Sequence, residues 1–473
     1  MKNSRRDFLK LTGLAGLAGG TGLFSWRSDS NKKTFPQPHR QNFNMHEYAA
    51  PKLDTVRVGV IGLGNRGSGT VVRLASLEGV EIKGVCDLEP DRVSAAQESL
   101  KDFNQSPDGY SGGENEWKKM CERNDIDLIA IATPWHIHVP QSVFSMENEK
   151  HVYVELPAAN TIEECWQLVE TSEQTRMHCM QMSSSCHSGT AAVILNMVRN
   201  GILGEILHGE GGYIHDLMNT HNFTKDTYHN MWRLNENIDR NGNLYPQHAL
   251  VPMCQIMDIN CGDKMDYMVS MSTNDFMMGE KAKELAAEDD FWQPYVGRNY
   301  RGNMNTTTIR TNKGRTIVVQ HDVTTPRPGI RFHMINGTKG TYKARPDRIG
   351  FSYYDDWLSE EEKDSLMEKY RPEITKRFNE MISQASSRRQ NRSYARVNAM
   401  DWRLIDCLRN GLPVEANVYD AATSSSVTPL SEWSVANRSN SVQVPDFTQG
   451  AWKSNKRNMD VELTNGGGTT RII

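Results

Sequence analysis

The chain has 473 residues, enough for two domains and a sizeable core. Lysines and arginines number 54 against 58 aspartates and glutamates, a formal charge of −4, and no long basic block occurs. That balance excludes nucleic acid and acidic membrane surfaces as natural partners, and the 23 scattered methionines read as core filler.

Residues 1–31 have the pattern of a twin-arginine export signal. Ser4-Arg5-Arg6-Asp7-Phe8-Leu9-Lys10 precedes a weakly apolar, Gly/Ala-rich run from Leu11 to Phe24. The run is too short and too glycine-rich for a stable membrane span. No cysteine near its end offers a lipid attachment point. The expected location is the periplasm or the cell surface. The polar residues 32–53 read as a linker.

Over residues 54–182 apolar strands alternate with helical patterns. The strands are Val56–Gly62, Val80–Cys86, Leu128–Ala132, His151–Glu155 and His178–Met182; helices are expected over Thr70–Leu77, Pro90–Asn104, Val139–Asn148 and Ile162–Gln174. This rhythm predicts a doubly wound parallel sheet. Its first turn reads Gly62-Leu63-Gly64-Asn65-Arg66-Gly67, glycines spaced for a tight turn, close approach to a pyrophosphate, and helix packing. The next strand ends on Asp87, an acid placed to accept both ribose hydroxyls of NAD and to repel the 2′-phosphate of NADP. The domain is therefore a Rossmann-type NAD-binding unit.

The glycine turn and the export signal constrain each other. Twin-arginine export carries folded proteins, and NAD is a cytoplasmic metabolite. An exported NAD protein must therefore load its cofactor first and keep it. That favours a cofactor regenerated within each catalytic cycle.

Two further loops stand at the carboxyl edge of the expected sheet. Thr133-Pro134-Trp135-His136-Ile137-His138 contains a His-x-His pair without a carboxylate or cysteine partner, so contact with nicotinamide or ribose is preferred over metal. Glu155-Leu156-Pro157 follows the next strand. The eight cysteines (86, 121, 165, 179, 186, 254, 261 and 407) form no CxxC pairs or ligand clusters and read as buried thiols.

Residues 183–473 change rhythm. A helix over Ala191–Asn200 ends at Gly201, and longer alternating strands such as Ile206–Tyr213 and Thr316–Val323 predict an α+β domain with a large, mostly antiparallel sheet. Ser359–Arg396 is charged and helical in pattern, and Asp401–Asn410 is an amphipathic helix closing at Gly411.

The glycine turn, Asp87, Thr-Pro-x-x-x-His and Glu-x-Pro, in this order, resemble the Gfo/Idh/MocA oxidoreductases. Their dehydrogenases usually carry Glu-Lys-Pro, where the lysine assists hydroxyl deprotonation. Here Leu156 stands in its place, and leucine moves no proton. In the second half, Met231-Trp232-Arg233-Leu234, Asn243-Leu244-Tyr245-Pro246-Gln247-His248, Cys261-Gly262-Asp263-Lys264-Met265-Asp266-Tyr267 and Asp401-Trp402-Arg403-Leu404 are similar to glycoside hydrolase family 109. That resemblance spans nearly the whole chain.

The resemblance implies an NAD-dependent glycosidase acting on a carbohydrate or glycoconjugate, with α-N-acetylgalactosaminides as the known substrates. The sugar's C3 hydroxyl is transiently oxidised, C2 loses a proton, the C1 group is eliminated, water adds, and C3 is reduced again. Carried over by motif, His248 is the acid/base residue, Tyr245 lies beside the nicotinamide, and Tyr213 and Arg233 hold the sugar. Gly62, Gly64, Asn65, Arg66, Gly67, Asp87, Trp135, His136, His138, Glu155 and Leu156 line the cofactor, with Glu155 also a catalytic candidate.

Three positions depart from the family pattern. An NAD-contacting asparagine is replaced by Ser184, an active-site tyrosine by His187 and a substrate-side tyrosine by Gly329. These changes put α-N-acetylgalactosaminidase activity in question and make His187 a candidate substitute for proton transfer. Two other readings stay open, an NAD-dependent sugar oxidoreductase and a carbohydrate-binding protein whose catalysis has decayed. Leu156 and export weigh against the first; Glu155, Tyr245 and His248 weigh against the second. Self-association is also left open.

Overall fold

The apolar runs of the first half form one parallel sheet. A computed structural model describes residues 39–187, 189–351, 356–388 and 397–473. Six strands, β1 (Val56–Ile61), β2 (Val80–Cys86), β3 (Asp108–Tyr110), β4 (Leu128–Ile131), β5 (His151–Val154) and β6 (Cys179–Gln181), lie in the order β3-β2-β1-β4-β5-β6. All five pairings are parallel. β4, β5 and β6 are buried throughout, as strands covered by helices on both faces must be. The strand order reverses beside β1, which opens a crevice at the carboxyl ends of β1 and β4.

The second sheet has eight strands: β7 (Ile206–Ile214), β8 (Met265–Ser272), β9 (Met304–Thr311), β10 (Thr316–Asp322), β11 (Ile330–Gly337), β12 (Thr341–Lys343), β13 (Arg348–Gly350) and β14 (Val442–Gln443). They run in the order β13-β12-β11-β7-β10-β9-β8-β14. Every pairing is antiparallel except that of β10 with β7. β9 and β10 alternate buried and half-buried residues, so one face is packed.

The helix α1 (Gln247–Ile256) lies on that packed face. Its approach to β7 depends on glycine. A Cβ on Gly211 would stand 2.7 Å from the Ala249 Cβ and 2.5 Å from the Arg331 carbonyl oxygen, closer than side chains pack.

The charged stretch from 359 onward forms the expected helices, over Glu360–Lys369 and Glu373–Arg388, with residues 389–396 outside the described residues. Two elements differ from the sequence expectations. β3, Asp-Gly-Tyr, carries no apolar run, because an edge strand exposed on one side needs none. Residues 39–53 are not a free linker. Met45, His46 and Ala50 are buried, and the His46 Nε2 lies 2.7 Å from the Lys456 carbonyl oxygen. The export signal and residues 32–38 lie outside the described residues.

One carboxylate anchors that arm. Glu173 is buried at the end of the helix Ile162–Thr175, 2.8 Å from the His39 Nε2, and accepts from the Tyr419 hydroxyl at 2.8 Å. Glu170 flanks the other ring nitrogen of His39 at 3.1 Å. Removing Glu173 takes a partner from His39 and Tyr419 at once. Glu173→Ala is expected to cost about 3 kcal/mol in chaotrope-induced unfolding. A loss below about 0.5 kcal/mol would mean that the arm is not held by this contact.

Candidate active site

A cleft of about 450 Å³ opens at the carboxyl edge of the parallel sheet. The turn after β1 supplies Gly62, Gly64, Asn65 and Arg66, and the end of β2 supplies Asp87. The loops after β4 and β5 add Trp135, His136, His138, Glu155 and Leu156. From the second half come Thr227, Tyr228, His229, Trp232, Arg233 and Tyr245. The volume is ordinary for a cofactor site.

The glycine turn fits a dinucleotide. Gly62 has φ +85°, and a Cβ there would stand 2.7 Å from the Ala132 carbonyl oxygen. Gly67 packs inward against the Gly62 carbonyl oxygen and does not line the cleft. Gly64 is different, because a Cβ on it would meet nothing closer than an Arg92 nitrogen at 3.5 Å. Nothing in the protein demands glycine there. The missing side chain leaves cleft wall for a pyrophosphate to approach. Asp87 accepts from the Leu63 amide at 2.7 Å and the Glu89 amide at 3.0 Å, which fixes its carboxylate at the cleft wall with lone pairs to spare.

The opposite wall is aromatic. Tyr245 stacks on Trp135 at 5.3 Å between centroids and meets His248 edge-on at 4.9 Å. His248 stacks on Tyr213 at 5.0 Å. His248 and Tyr213 therefore stand directly behind Tyr245 rather than on the cleft surface. The Arg233 guanidinium lies 5.1 Å from the Trp135 ring and 5.2 Å from the Tyr245 ring. Among the described residues no hydrogen bond or ion pair engages that guanidinium.

Burial sets the protonation states. Desolvation, reinforced by the charges of Arg331, Arg66 and Arg233, pushes the His248 pKa well below its ordinary value, so its ring is neutral. The Nδ1 of His248 is buried without a partner among the described residues. Burial, then the charge of Glu155, raises the Tyr245 pKa, so its hydroxyl keeps its proton. Glu155 accepts from the Arg66 Nε at 2.8 Å and from the Leu156 amide at 3.1 Å. Leu156 is buried at the position where a lysine would offer a proton.

Four expected residues have other surroundings. The His138 ring nitrogens each lie 2.8 Å from a main-chain carbonyl, of Pro157 and of Thr133. His138 thus ties two loops together and offers the cofactor no free polar atom. Ser184 is half-buried in the turn after β6, and neither it nor His187 lines the cleft. The His187 Nε2 lies 2.7 Å from Glu415 Oε2, and the other Glu415 oxygen accepts from the Arg403 Nε at 2.9 Å. Gly329 precedes β11, where a Cβ would meet only the Ile214 carbonyl oxygen at 3.4 Å, so a side chain would find room. The sequence reading missed Thr227, Tyr228 and His229. Their only local signal is the aromatic Tyr228, four residues ahead of the quoted Trp232-Arg233.

A glycine turn and an acidic strand end facing an aromatic wall define a dinucleotide-dependent enzyme of the dehydrogenase-like α/β class. Residues 56–182 match the oxidoreductase family with an NAD-binding Rossmann fold, and residues 189–454 match the glycosyl hydrolase 109 C-terminal domain. The chain belongs to glycosyl hydrolase family 109, and NAD is its cofactor. It is 44% identical over 411 residues to a Bacteroides fragilis protein named alpha-N-acetylgalactosaminidase, covering 86% of this chain and 95% of that one. It is 41% identical over 465 residues to a glycosyl hydrolase family 109 protein of Shewanella pealeana, covering 96% and 98%. Among solved structures, levoglucosan dehydrogenase in complex with NADH superposes with a TM-score of 0.60 at 17% identity, covering 83% of this chain and all of that one. That likeness shows the shared fold.

His187, the proton-transfer candidate, is held in a buried pair with Glu415 and does not line the cofactor cleft. Burial pushes its pKa down, but hydrogen bonds to Cys186 and Glu415 and the Glu415 charge outweigh this and bring it up to about 10. Because that lies above the ordinary 6.5, the stabilisation is complete below pH 6.5 and is lost as pH rises through about 10. The cost of His187→Gln in chaotrope unfolding is therefore expected to be largest near pH 6 and to shrink steadily toward pH 10. A cost that stays constant over that range would show the ring to be neutral in the fold.

Proposed function

We propose that this protein is an exported glycosidase that hydrolyses a glycosidic bond while keeping one NAD molecule through every turnover. The observation that carries the reading is the pairing of Leu156 with His248. The lysine of an ordinary dehydrogenase is absent, and a neutral imidazole stands behind the cofactor wall instead. Bound NAD supplies a reversible hydride acceptor, which makes C3 of the sugar a carbonyl for part of the cycle and acidifies the proton on C2.

The chain's own groups do the rest. Glu155, held by Arg66, accepts the C3 hydroxyl proton in place of the missing lysine. His248, unprotonated at neutral pH, takes the C2 proton, and the C1 leaving group departs. Tyr245 keeps its proton and donates a hydrogen bond toward the sugar. Arg233, unpaired and backed by Trp135 and Tyr245, holds sugar oxygens. Water then adds at C1 and the steps reverse, with no net oxidation.

Ser184 and His187 do not line the cofactor cleft, and Gly329 stands where a side chain would find room. An α-N-acetylgalactosaminide is the first probe, as the name of the Bacteroides fragilis relative suggests. Arg5-Arg6 would carry the folded, NAD-loaded protein out of the cytoplasm.

The test uses purified protein, no added NAD, and a panel of aryl α- and β-glycosides in D₂O. Phenol release over many turnovers with deuterium at C2 is expected; stoichiometric NADH with an oxidised sugar would instead identify a dehydrogenase. His248→Ala should lower kcat/KM about 10²-fold to 10⁴-fold and abolish C2 exchange. Because the His248 pKa is depressed, the acid limb of kcat/KM is expected below pH 6.5. A limb at or above 6.5 would argue against His248 as the base.

A further inference from the structure

Between β7 and the short helix Trp232–Asn235 the chain makes an excursion that no motif explains. Residues 215–231 pass through a single π-helical turn, Met218–Asn222, and then run along the cofactor cleft, where Thr227, Tyr228 and His229 form part of its lining. Two polar contacts tie this segment to the nucleotide loops. The Asn65 amide donates to the Thr227 carbonyl at 3.3 Å, and the His229 Nδ1 lies 3.1 Å from Glu89 Oε1. Asn65 belongs to the turn after β1 and Glu89 to the turn after β2, the two loops that would hold pyrophosphate and ribose.

The segment is anchored apart from the rest of the protein. Phe223 and Met231 pack with Met278, Trp292 and Tyr300 in an apolar cluster separate from the main core. Lys225 pairs with Asp289 and stands 4.4 Å from the Phe291 ring. At the other end Asn230 and Met231 both adopt φ of 50°, two successive non-glycine residues in the left-handed region, which mark a sharp bend. A rigid root, a bend and weak exposed tethers make a unit that can lift while both cores stay packed.

We propose that residues 226–230 are a retention strap, which closes over bound NAD through Thr227–Asn65 and His229–Glu89 and must part from both for the cofactor to enter or leave. The proposal rests on the reading that NAD stays bound across turnovers. It also assigns residues that reading does not use. An exported enzyme without fresh NAD needs slow release more than fast loading, and a strap slows both.

The experiment measures NAD exchange, not turnover. Wild-type holoprotein is diluted into an excess of a scavenging dehydrogenase that converts released NAD to NADH, and NAD entry into the apoprotein is timed separately. His229→Ala, Glu89→Ala and Tyr228→Ala are compared with the double variant H229A/E89A. Release and entry should both accelerate, about 2-fold to 5-fold for the exposed pair and about tenfold for Y228A, where ring packing is lost. H229A/E89A should exceed neither single variant by more than twofold, since both break one contact.

Wild-type retention with unchanged rates in all variants would overturn the strap and leave the resident cofactor standing. Faster release with unchanged entry would make these residues ordinary binding contacts, and the gate would fail. If wild-type protein itself loses NAD within one turnover, the resident-cofactor reading fails and the strap falls with it.

Discussion

The approach of α1 to β7 is the constraint on which the rest of the site depends. Gly211 lets the helix settle to a distance at which any side chain would overlap Ala249 or the Arg331 carbonyl. That contact fixes His248, in the first turn of the helix, against Tyr213 on the strand. Tyr245, just ahead of the helix, is then brought onto Trp135 from the parallel sheet. A stacked series of rings runs from one sheet to the other, and the cofactor cleft is its open side. Moving α1 outward by the width of a methyl group would separate the His248 ring from the wall of Tyr245 and Trp135. A reaction that uses both, as proposed, would weaken with such a shift, because rates depend sharply on placement.

Within that frame, burial chooses the protonation states. His248 and His187 are both buried histidines, yet they end in opposite forms. His248 faces three arginine charges and no carboxylate at hydrogen-bond distance, so desolvation prevails and the ring is neutral. His187 faces Glu415, whose own carboxyl is held down to about 2 because the charges of Arg403 and His187 outweigh its burial. One histidine is thereby left able to take a proton and the other is committed to structure. The same reasoning separates the arginines: Arg403 is consumed by Glu415 and Asp406, whereas Arg233 is braced by rings and left without an anion.

What could be read from the sequence follows the range of the interactions. The parallel sheet, the glycine turn and Asp87 were legible because each is encoded within a few tens of residues, by apolar runs and by glycines that meet a local steric demand. β3 was not, since Asp-Gly-Tyr at an exposed edge leaves no apolar pattern. The docking of residues 39–53 was hidden because its partners, Glu173 and Tyr419, lie 134 and 378 residues away from His39 and Gln41. The partner of His187 was hidden for the same reason, as Glu415 is 228 residues distant. Motif similarity placed Tyr245 and His248 side by side but carried nothing about Thr227 or His229, whose contacts with Asn65 and Glu89 join separate sheets.

The depressed pKa of His248 and the leucine at 156 fit one kind of chemistry. An imidazole that resists protonation is a poor store for a proton, so under the proposed cycle the proton taken from C2 passes on readily to solvent, and C2 is reprotonated from the same ring. The hydride leaves C3 and returns to C3 in the same cycle. A dehydrogenase must instead discharge a proton and exchange its cofactor at every turnover, and a lysine beside Glu155 would serve the first need. Here Leu156 closes that route in a buried, apolar position. Under the proposed cycle the hydride never has to leave the cleft, so a cleft that keeps its cofactor costs this reaction nothing that a dehydrogenase would lose.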